Sequence, residues 1–372
     1  MSHMTLPQTD LDDAILDLIV TYHDLNPPGV DELAEEPSPL DFMRYAARNR
    51  PFVVRGAANE WKARRRWNAE YLTGVMRSQP VNVAITPHGN ADSVVEDSQG
   101  SLHFVKPYDT TEPFESVLRD IQAQEADTSP SGPIKYAQTQ NDNLRNEYSP
   151  LFADVPASIP FARIALQHAP EAINFWLGNS HSVTALHKDN YENIYVQVLG
   201  RKHFVLLPPV EAACVNERML PSATYAHVRR RKQEEGRDDG GDAGDREVGS
   251  AKGDGEEEEQ LEMRADDPAQ EVPFATWDPD EPERRLTQFS RLSRPARVTL
   301  EEGDMLYLPA LWYHKVSQSC SHEGLCCAVN YWYDMDFAGS FYTLCSFARN
   351  AGLLATGTAP KDLGGARGHL DV

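Results

Sequence analysis

The sequence predicts a mainly β fold, a β-sandwich or small barrel with helices packed at its ends. Three observations indicate this fold: short apolar runs with period-two alternation recur, turns containing Gly or Pro separate them, and amphipathic helical stretches lie mostly towards the two ends. Hydrophobic residues make up 40% of the 372 residues, which is enough to bury a core. A barrel of this size can hold one small ligand inside.

The first 140 residues alternate between helical and extended patterns. Residues 10–25 place apolar side chains on one helical stripe, and the turn at 26–29 (NPPG) ends this helix. Ser38-Pro39 opens a second helix, and 114–123 form a third amphipathic stretch. The stripe of the first helix consists of Leu11, Ile15, Leu18, Ile19 and Tyr22. Short strands are predicted at 51–56, 81–85 and 134–138.

The β pattern is densest in the second half of the chain. Residues 174–178 form a strand that ends at a glycine. Residues 191–199 and 203–207 alternate on either side of Gly200-Arg201, so we expect them to form a β-hairpin. Later strands are predicted at 297–300, 305–308 and 325–333. A last helix over 337–348 carries a stripe formed by Phe337, Phe341, Leu344 and Ala348.

Charge and composition exclude some classes of protein. The formal charge is 35 − 57 = −22, which disfavours binding to the phosphate backbone of nucleic acids. No apolar run approaches the roughly 20 residues that cross a bilayer, and no signal peptide is recognisable. Five cysteines without CxxC spacing indicate reduced thiols. We therefore expect no membrane association and a cytoplasmic location, with the nucleus as an alternative.

The domain organisation follows from a composition shift. Residues 229–267 carry 15 acidic and 8 basic side chains and almost no large apolar ones, so we predict a disordered acidic insert inside one domain. We expect an N-terminal helical segment over 1–37, one β domain over 38–336, and a C-terminal helix and tail over 337–372. The apolar stripes of the two terminal helices pack on the core in this interpretation, with a homodimer as the alternative.

A His-x-Asp pair at the start of the central strands is a candidate metal site. Residues i and i+2 of a strand share a face, so His187 and Asp189 both point into the barrel while Lys188 points out. His314, at the end of a later strand, is the candidate third ligand. Two imidazoles and one carboxylate with open positions are typical of non-haem Fe(II) oxygenases. The alternative is that His314 is a buried structural histidine. Competing histidines without a carboxylate two positions on are His181, His203 and His322.

Lys202 strengthens the metal hypothesis. It follows Gly200 at the start of the returning strand, in an otherwise apolar run. A buried lysine is costly unless it is paired, so an anion is expected beside it. The distal carboxylate of 2-oxoglutarate would supply a charge-assisted hydrogen bond worth roughly 1.5–3 kcal/mol. Spacing alone leaves open the alternative that Lys202 lies on the outer face.

Five motifs carry a resemblance to a known family. They read NFWLG at 174–178, VTALHKDNYEN at 183–193, GRKHF at 200–204, GDMLYLPALWYH at 303–314 and AVNYWYDMD at 328–336. The sequence resembles the JmjC-domain (jumonji-type, cupin-like) 2-oxoglutarate oxygenases, and within them the lysyl hydroxylase branch. The resemblance implies a double-stranded β-helix, a jelly-roll core, with helices at both ends. It covers nearly all of the chain except the N-terminal residues, the acidic insert and the C-terminal tail.

The resemblance also implies roles for individual residues. The implied Fe(II) ligands are His187, Asp189 and His314. The implied 2-oxoglutarate residues are Lys202, Thr184, Tyr136, Asn193 and Asn330. Fe(II) is the implied cofactor, and 2-oxoglutarate and O₂ are the implied cosubstrates. Asp92 is a candidate partner for the ammonium group of a substrate lysine.

The activity implied by the resemblance is hydroxylation of a lysine side chain in a protein, with succinate and CO₂ as coproducts. The implied substrates are developmentally regulated GTP-binding proteins. Two alternatives stay open. One is a JmjC demethylase or a peptidase directed at methylated residues of histone tails, and the other is a cupin-like module that binds without catalysing. A missing ligand would indicate the binding module, and here all three ligands and Lys202 are present.

Overall fold

Two β-sheets pack face to face and enclose the centre of the molecule. The computed structural model describes residues 8–127, 132–231 and 257–358. The inward side chains of both sheets form one apolar cluster, in which Trp176, Leu306 and Ala328 of the first sheet join Phe204 and Val316 of the second. The predicted jelly-roll core with flanking helices is confirmed.

The major sheet has six strands and is buried on both faces. Its central strands are apolar at nearly every position, because helices cover the face that points away from the minor sheet. The strands, in order across the sheet, are β1 (Asp31–Leu33), β2 (Phe52–Val54), β16 (Met305–Leu308), β10 (Tyr191–Leu199), β18 (Cys326–Asp334) and β8 (Ala172–Gly178). The segment 1–37, predicted to be helical, therefore also contributes β1, which pairs in parallel with β2.

The minor sheet has four strands. In order they are β15 (Ala296–Leu300), β11 (Arg201–Leu207), β17 (Tyr313–Ser319) and β9 (Thr184–Lys188). In the antiparallel pair of β9 and β17, His187 is the register partner of His314 and Lys188 is the partner of Tyr313. Because successive residues point to opposite faces, the histidine pair and the Lys188–Tyr313 pair lie on opposite faces of this sheet.

The predicted hairpin of 191–199 with 203–207 is wrong. β10 pairs with β16 and β18 in the major sheet, while β11 pairs with β15 and β17 in the minor sheet. Gly200 connects the two sheets at φ 68°, and a Cβ there would lie 2.5 Å from the Ser319 carbonyl oxygen. Glycine is therefore required at this crossing, although no two-residue hairpin forms.

Two smaller sheets flank the barrel. One has the order β13 (Glu257–Ala265), β12 (Glu217–Arg231), β5 (Leu102–Lys106) and β4 (Ser93–Glu96), with β14 (Glu271–Ala275) also paired to β12. The other has the order β6 (Tyr108–Pro113), β3 (Pro80–Thr86) and β7 (Ile134–Tyr136). The loop between β3 and β4 and the end of β7 both reach the region around β8 and β9.

The ends of the predicted acidic insert are β-structure. Disorder was expected over 229–267, and this prediction is wrong for 229–231, which end β12, and for 257–265, which form β13 and pair with β12. Leu261 and Met263 pack on a buried cluster that contains Tyr225 and Val105. Apolar alternation inside the acidic run is therefore enough to order this strand. The rest of the prediction, over 232–256, lies outside the described residues.

Seven α-helices within the described segments surround the sheets. They are α1 (Gln8–Leu25), α2 (Pro39–Arg48), α3 (Lys62–Arg66), α4 (Ala69–Met76), α5 (Phe114–Ala126), α6 (Pro160–Leu166) and α7 (Phe341–Thr356). Short 3₁₀ turns lie at Ser149–Asp154, Pro209–Cys214 and Ser290–Leu292. The predicted start of α2 is confirmed, since the Asp41 amide donates to the Ser38 hydroxyl. None of these helices has both the length and the apolar character needed to span a bilayer.

The two terminal helices pack on each other and on the 3₁₀ turn at Pro209–Cys214. In α1, Ile15 and Ile19 are buried as expected, whereas Leu18 is 39% exposed. In α7, Leu344 is 62% exposed, and the buried apolar side chains are Leu353 and Ala355 near its C-terminal end. The predicted stripe on α7 is therefore only partly its packing face. The homodimer stays a prediction.

We expect the two parts of the acidic segment to differ in their effect on stability. Replacing 232–256 with a short Gly/Ser linker should leave the Tm nearly unchanged, because Arg231 and Glu257 are register partners and a short turn can join them. Replacing 229–267 should lower the Tm by about 2–8 °C, the shift that a loss of roughly 1–2 kcal/mol gives in a large domain. Thermal unfolding of both variants measures this difference. Equal Tm losses would contradict it.

Candidate active site

Three side chains converge on one point inside the barrel. The Nε2 or Nδ1 atoms of His187 and His314 and a carboxylate oxygen of Asp189 all lie within 4.8 Å of one another. Asp189 Oδ2 is 3.9 Å from His187 Nε2 and 3.6 Å from His314 Nε2. The imidazole centroids are 4.1 Å apart. In the part of the chain that the structure describes, no other group of three His, Cys, Asp or Glu side chains has this geometry.

Backbone carbonyls fix the tautomers of both imidazoles. His187 Nδ1 lies 2.8 Å from the Ala185 carbonyl oxygen, and His314 Nδ1 lies 3.1 Å from that of Trp312. A carbonyl only accepts hydrogen bonds, so each Nδ1 carries a proton, and in a neutral imidazole the lone pair is then on Nε2. Both Nε2 atoms face Asp189. This is the arrangement by which proteins orient histidines as metal ligands.

Burial keeps His314 in the neutral form that binds metals. Burial lowers the pKa of His314 to about 4, and the neighbouring His187 lowers it further. Asp189 and the hydrogen bond to the Trp312 carbonyl act in the opposite direction but do not outweigh burial. At neutral pH this imidazole carries no proton on Nε2, so a metal ion displaces none from it.

Lys202 lies inside the barrel and not on its outer face. Its side chain is 3% exposed, and its Nζ donates a 2.8 Å hydrogen bond to the Tyr136 hydroxyl. The Nζ lies 5.2 Å from the Tyr136 ring centroid and 5.9 Å from that of Tyr195. Burial acts to lower the pKa of Lys202, and the two tyrosine oxygens reverse this, so the amine stays charged. No carboxylate among the described residues pairs with it. An anion in the pocket would balance its charge.

The remaining predicted cosubstrate residues line the same pocket as the three metal-ligand candidates and Lys202. These residues are Thr184, Tyr136, Asn193 and Asn330. Trp176 Nε1 donates to Asn330 Oδ1 over 2.9 Å, and Asn330 Nδ2 donates to Asn193 Oδ1 over 3.1 Å. These two hydrogen bonds orient both side-chain amides and leave the Asn193 Nδ2 group as a donor for a ligand.

Several lining residues were not predicted. They are Gln140, Trp176, Tyr195, Phe204, Val316 and Trp332. A signal existed for Tyr195 and Phe204, since they lie two positions beyond Asn193 and Lys202 and share their strand faces. Gln140 lies in a loop after β7, where no strand periodicity predicts the direction of its side chain.

Asp92 lies beside the pocket and does not line it. Its loop is held against the chain before β9, since the Val183 amide donates to the Gly89 carbonyl. A Cβ on Gly89 would lie 2.0 Å from the His181 carbonyl oxygen, so only glycine allows this approach. Burial and the nearby Asp109 raise the pKa of Asp92 to about 6, and the interaction with His187 opposes them. Asp92 therefore sits within electrostatic range of the candidate metal ligands.

The sequence of the whole barrel is similar to one set of known proteins. Residues 37–339 match the cupin-like domain family. Over 313 residues the chain is 34% identical to the Homo sapiens bifunctional peptidase and (3S)-lysyl hydroxylase JMJD7, covering 84% of this chain and 86% of that protein. It is 32% identical over 317 residues to the Arabidopsis thaliana lysine-specific demethylase JMJ32, covering 83% of this chain and 82% of that protein. It is 32% identical over 323 residues to the Dictyostelium discoideum JmjC domain-containing protein E, covering 82% of this chain and 84% of that protein.

The chain belongs to the cupin-like JmjC family. The residues of this JmjC barrel fit an Fe(II) ion, because two imidazoles and one carboxylate on one side leave positions open for other ligands. They also fit 2-oxoglutarate, because the buried charge of Lys202 lies in the same pocket and no described residue gives it an acidic partner. When bound, the iron would supply the activation of O₂, which no side chain provides.

The metal cluster generates a first prediction. Asp189→Ala should weaken Mn(II) binding by more than about 100-fold, since even losing a residue that only orients a ligand costs about 10–100-fold in affinity. The fold should persist, because the side chain is partly exposed and its ion-pair partners among the described residues are the two histidines. Calorimetric titration with Mn(II), alongside the Tm, measures both quantities. Binding like that of the wild type would show that the three residues do not form the metal site.

Lys202 generates a second prediction. Lys202→Met keeps the chain length and removes the charge, so 2-oxoglutarate should bind the Mn(II)-loaded protein roughly 10- to 150-fold more weakly, as loss of about 1.5–3 kcal/mol implies.

Tyr136→Phe is the matched control for Lys202→Met. It removes only the neutral hydroxyl beside Lys202, so the loss should be smaller, about 2- to 10-fold. Titration calorimetry of both variants against the wild type measures the two losses. An unchanged affinity in Lys202→Met would mean that the lysine binds no ligand carboxylate.

Proposed function

We propose that the chain is an Fe(II)- and 2-oxoglutarate-dependent protein hydroxylase that acts on a lysine side chain. One observation carries the proposal: the His187, Asp189 and His314 cluster shares its pocket with a buried, charged Lys202 that lacks an acidic partner among the described residues. A structural metal site would not need this cation. A pocket that holds a metal and an anionic cosubstrate together does need it.

The pocket residues would divide the work of positioning the cosubstrate. Lys202 and the Tyr136 hydroxyl bind one carboxylate, and Asn193 donates from the opposite wall. Trp176 and Phe204 exclude water from the pocket, which strengthens each of these polar contacts. The cosubstrate would thus be bound in one orientation relative to the metal ligands.

The substrate lysine would bind beside Asp92. Burial disfavours the charged form of this carboxyl group, and the negative charge of the nearby Asp109 adds to this effect. An ammonium group would relieve both penalties. A substrate lysine whose ammonium group binds Asp92 would also have its side chain near His187. The proposed protein substrate is a developmentally regulated GTP-binding protein.

The relatives' names point to a second class of reaction. JMJ32 is named a lysine-specific demethylase, and JMJD7 is named a peptidase as well as a lysyl hydroxylase. A demethylase would act on a methylated lysine and remove a methyl group. A peptidase would shorten the protein substrate. A hydroxylase adds an oxygen atom to an unmodified lysine. Intact-mass measurement distinguishes the three outcomes.

We therefore expect an added oxygen on one lysine of the GTP-binding protein after incubation with the chain, Fe(II), 2-oxoglutarate and O₂. Peptide mass spectrometry locates the modified residue, and succinate measures turnover. His314→Ala should produce neither, because it removes a metal ligand. Loss of a methyl group from a methylated substrate, or cleavage, without any added oxygen would contradict the hydroxylase assignment.

Asp92 generates a separate prediction for substrate binding. Asp92→Asn removes the charge and keeps the size, so the KM for the protein substrate should rise about 10-fold or more, as loss of a charge-assisted hydrogen bond of about 1.5–3 kcal/mol implies. The KM for 2-oxoglutarate should stay unchanged in this variant. Asp13→Asn, at an exposed position of α1, controls for net charge. If both variants raise the KM for the protein substrate equally, the effect is long-range and Asp92 is not the lysine partner.

A further inference from the structure

The outer face of the two metal-binding strands carries a second pocket. Lys188 and Tyr313 are register partners beside the His187–His314 pair, and they point to the opposite face of the sheet. Helix α7 and the 3₁₀ turn at Pro209–Cys214 cover this face. They leave a pocket of about 200 Å³ against the strands. It opens away from the central pocket and shares no lining residue with it.

A buried hydroxyl in this pocket lacks a partner. Tyr313 is 3% exposed, and its Oη makes no hydrogen bond to any described residue. Buried polar groups are paired in the great majority of cases, and each exception needs an explanation. Because Tyr313 lines the pocket, a ligand bound there is a candidate for the missing acceptor.

The charges around the pocket leave one cation available. Arg349 on α7 forms an ion pair with Glu217, with Nε and Oε2 2.9 Å apart. The Lys188 ammonium has no hydrogen bond or ion pair within the described segments. Asn190 and Ser346 add neutral polar groups to the lining. One free cation with neutral donors matches a single negative charge, and the nearby Glu217 disfavours a second.

The rest of the lining is apolar or weakly polar. Leu311, Pro209, Ala212 and Tyr342 form these walls. These walls can contact a short hydrocarbon group, which a fully hydrated ion such as phosphate lacks. A carboxylate on a small apolar body can contact both these walls and the polar side chains of the lining.

We propose that this outer pocket is a binding site for a small monocarboxylate. The ligand carboxylate accepts hydrogen bonds from the Lys188 ammonium and the Tyr313 hydroxyl, and the hydrocarbon group lies against Leu311 and Tyr342. The site is distinct from the proposed 2-oxoglutarate pocket, because the sheet formed by β9 and β17 separates them. The proposal does not depend on the proposed hydroxylase activity.

Butyrate is the probe for this site, with inorganic phosphate as the second ligand. Titration calorimetry on the full chain, with the central pocket saturated with Mn(II) and 2-oxoglutarate, should show saturable binding of one butyrate. Lys188→Met should weaken it about 10-fold or more, as loss of a hydrogen bond to a charged group implies. Tyr313→Phe should weaken it about 3- to 10-fold without lowering the Tm, because it removes only an unpaired hydroxyl.

Two further lysine variants locate the bound butyrate. Lys62→Met, at an exposed position of α3, and Lys202→Met, in the central pocket, should both bind butyrate like the wild type. Loss of binding in Lys202→Met alone would place the ligand in the central pocket and overturn the proposal. Binding weaker than roughly 10 mM, about −3 kcal/mol, would overturn it too. Saturable binding of phosphate but not butyrate would overturn the choice of a carboxylate.

Discussion

The register between β9 and β17 is the constraint on which both pockets depend. Side chains alternate with a period of two, so a slip of one residue would exchange the faces of the whole strand. In the observed register His187 and His314 meet inside the barrel, and Lys188 and Tyr313 meet outside it. A slipped register would bring a lysine to the position of an imidazole. Neither a metal cluster nor the outer pocket would then exist.

Buried hydrogen bonds hold the turn that sets this register. The Leu311 amide donates to the Asp189 carbonyl over 2.8 Å, and Leu311 has a φ of 68°, a conformation that a branched residue rarely adopts. Trp312 Nε1 donates to the Asn49 carbonyl over 2.9 Å, at the end of α2. Glu192 accepts hydrogen bonds from the Tyr307 hydroxyl and the Ala310 amide. These contacts come from three separate parts of the chain, so the start of β17 is fixed by the barrel and not by its own sequence.

The long-range origin of these contacts explains which features the sequence could predict and which it could not. The same-face placement of His187 and Asp189 follows from strand periodicity, whereas the inward direction of Lys202 was implied only by the family motif, because spacing left the outer face open. The hairpin failed because alternating strands around a glycine look the same whether they pair with each other or enter opposite sheets. β13 was missed because its composition is acidic, while its order depends on Leu261 and Met263 reaching Tyr225 across a long sequence separation. Sheet partners are a long-range property, and periodicity is a local one.

The central pocket is organised before any ligand binds. The carbonyl partners of His187 and His314 orient both rings, so a metal ion needs little rearrangement. Lys202 is different, because its buried ammonium stays charged and has no acidic partner among the described residues. An anion that binds beside Lys202 would balance this charge, and its binding free energy would appear as added stability of the folded state. The charge that the empty barrel leaves unbalanced is thus the feature that fits it to bind a carboxylate.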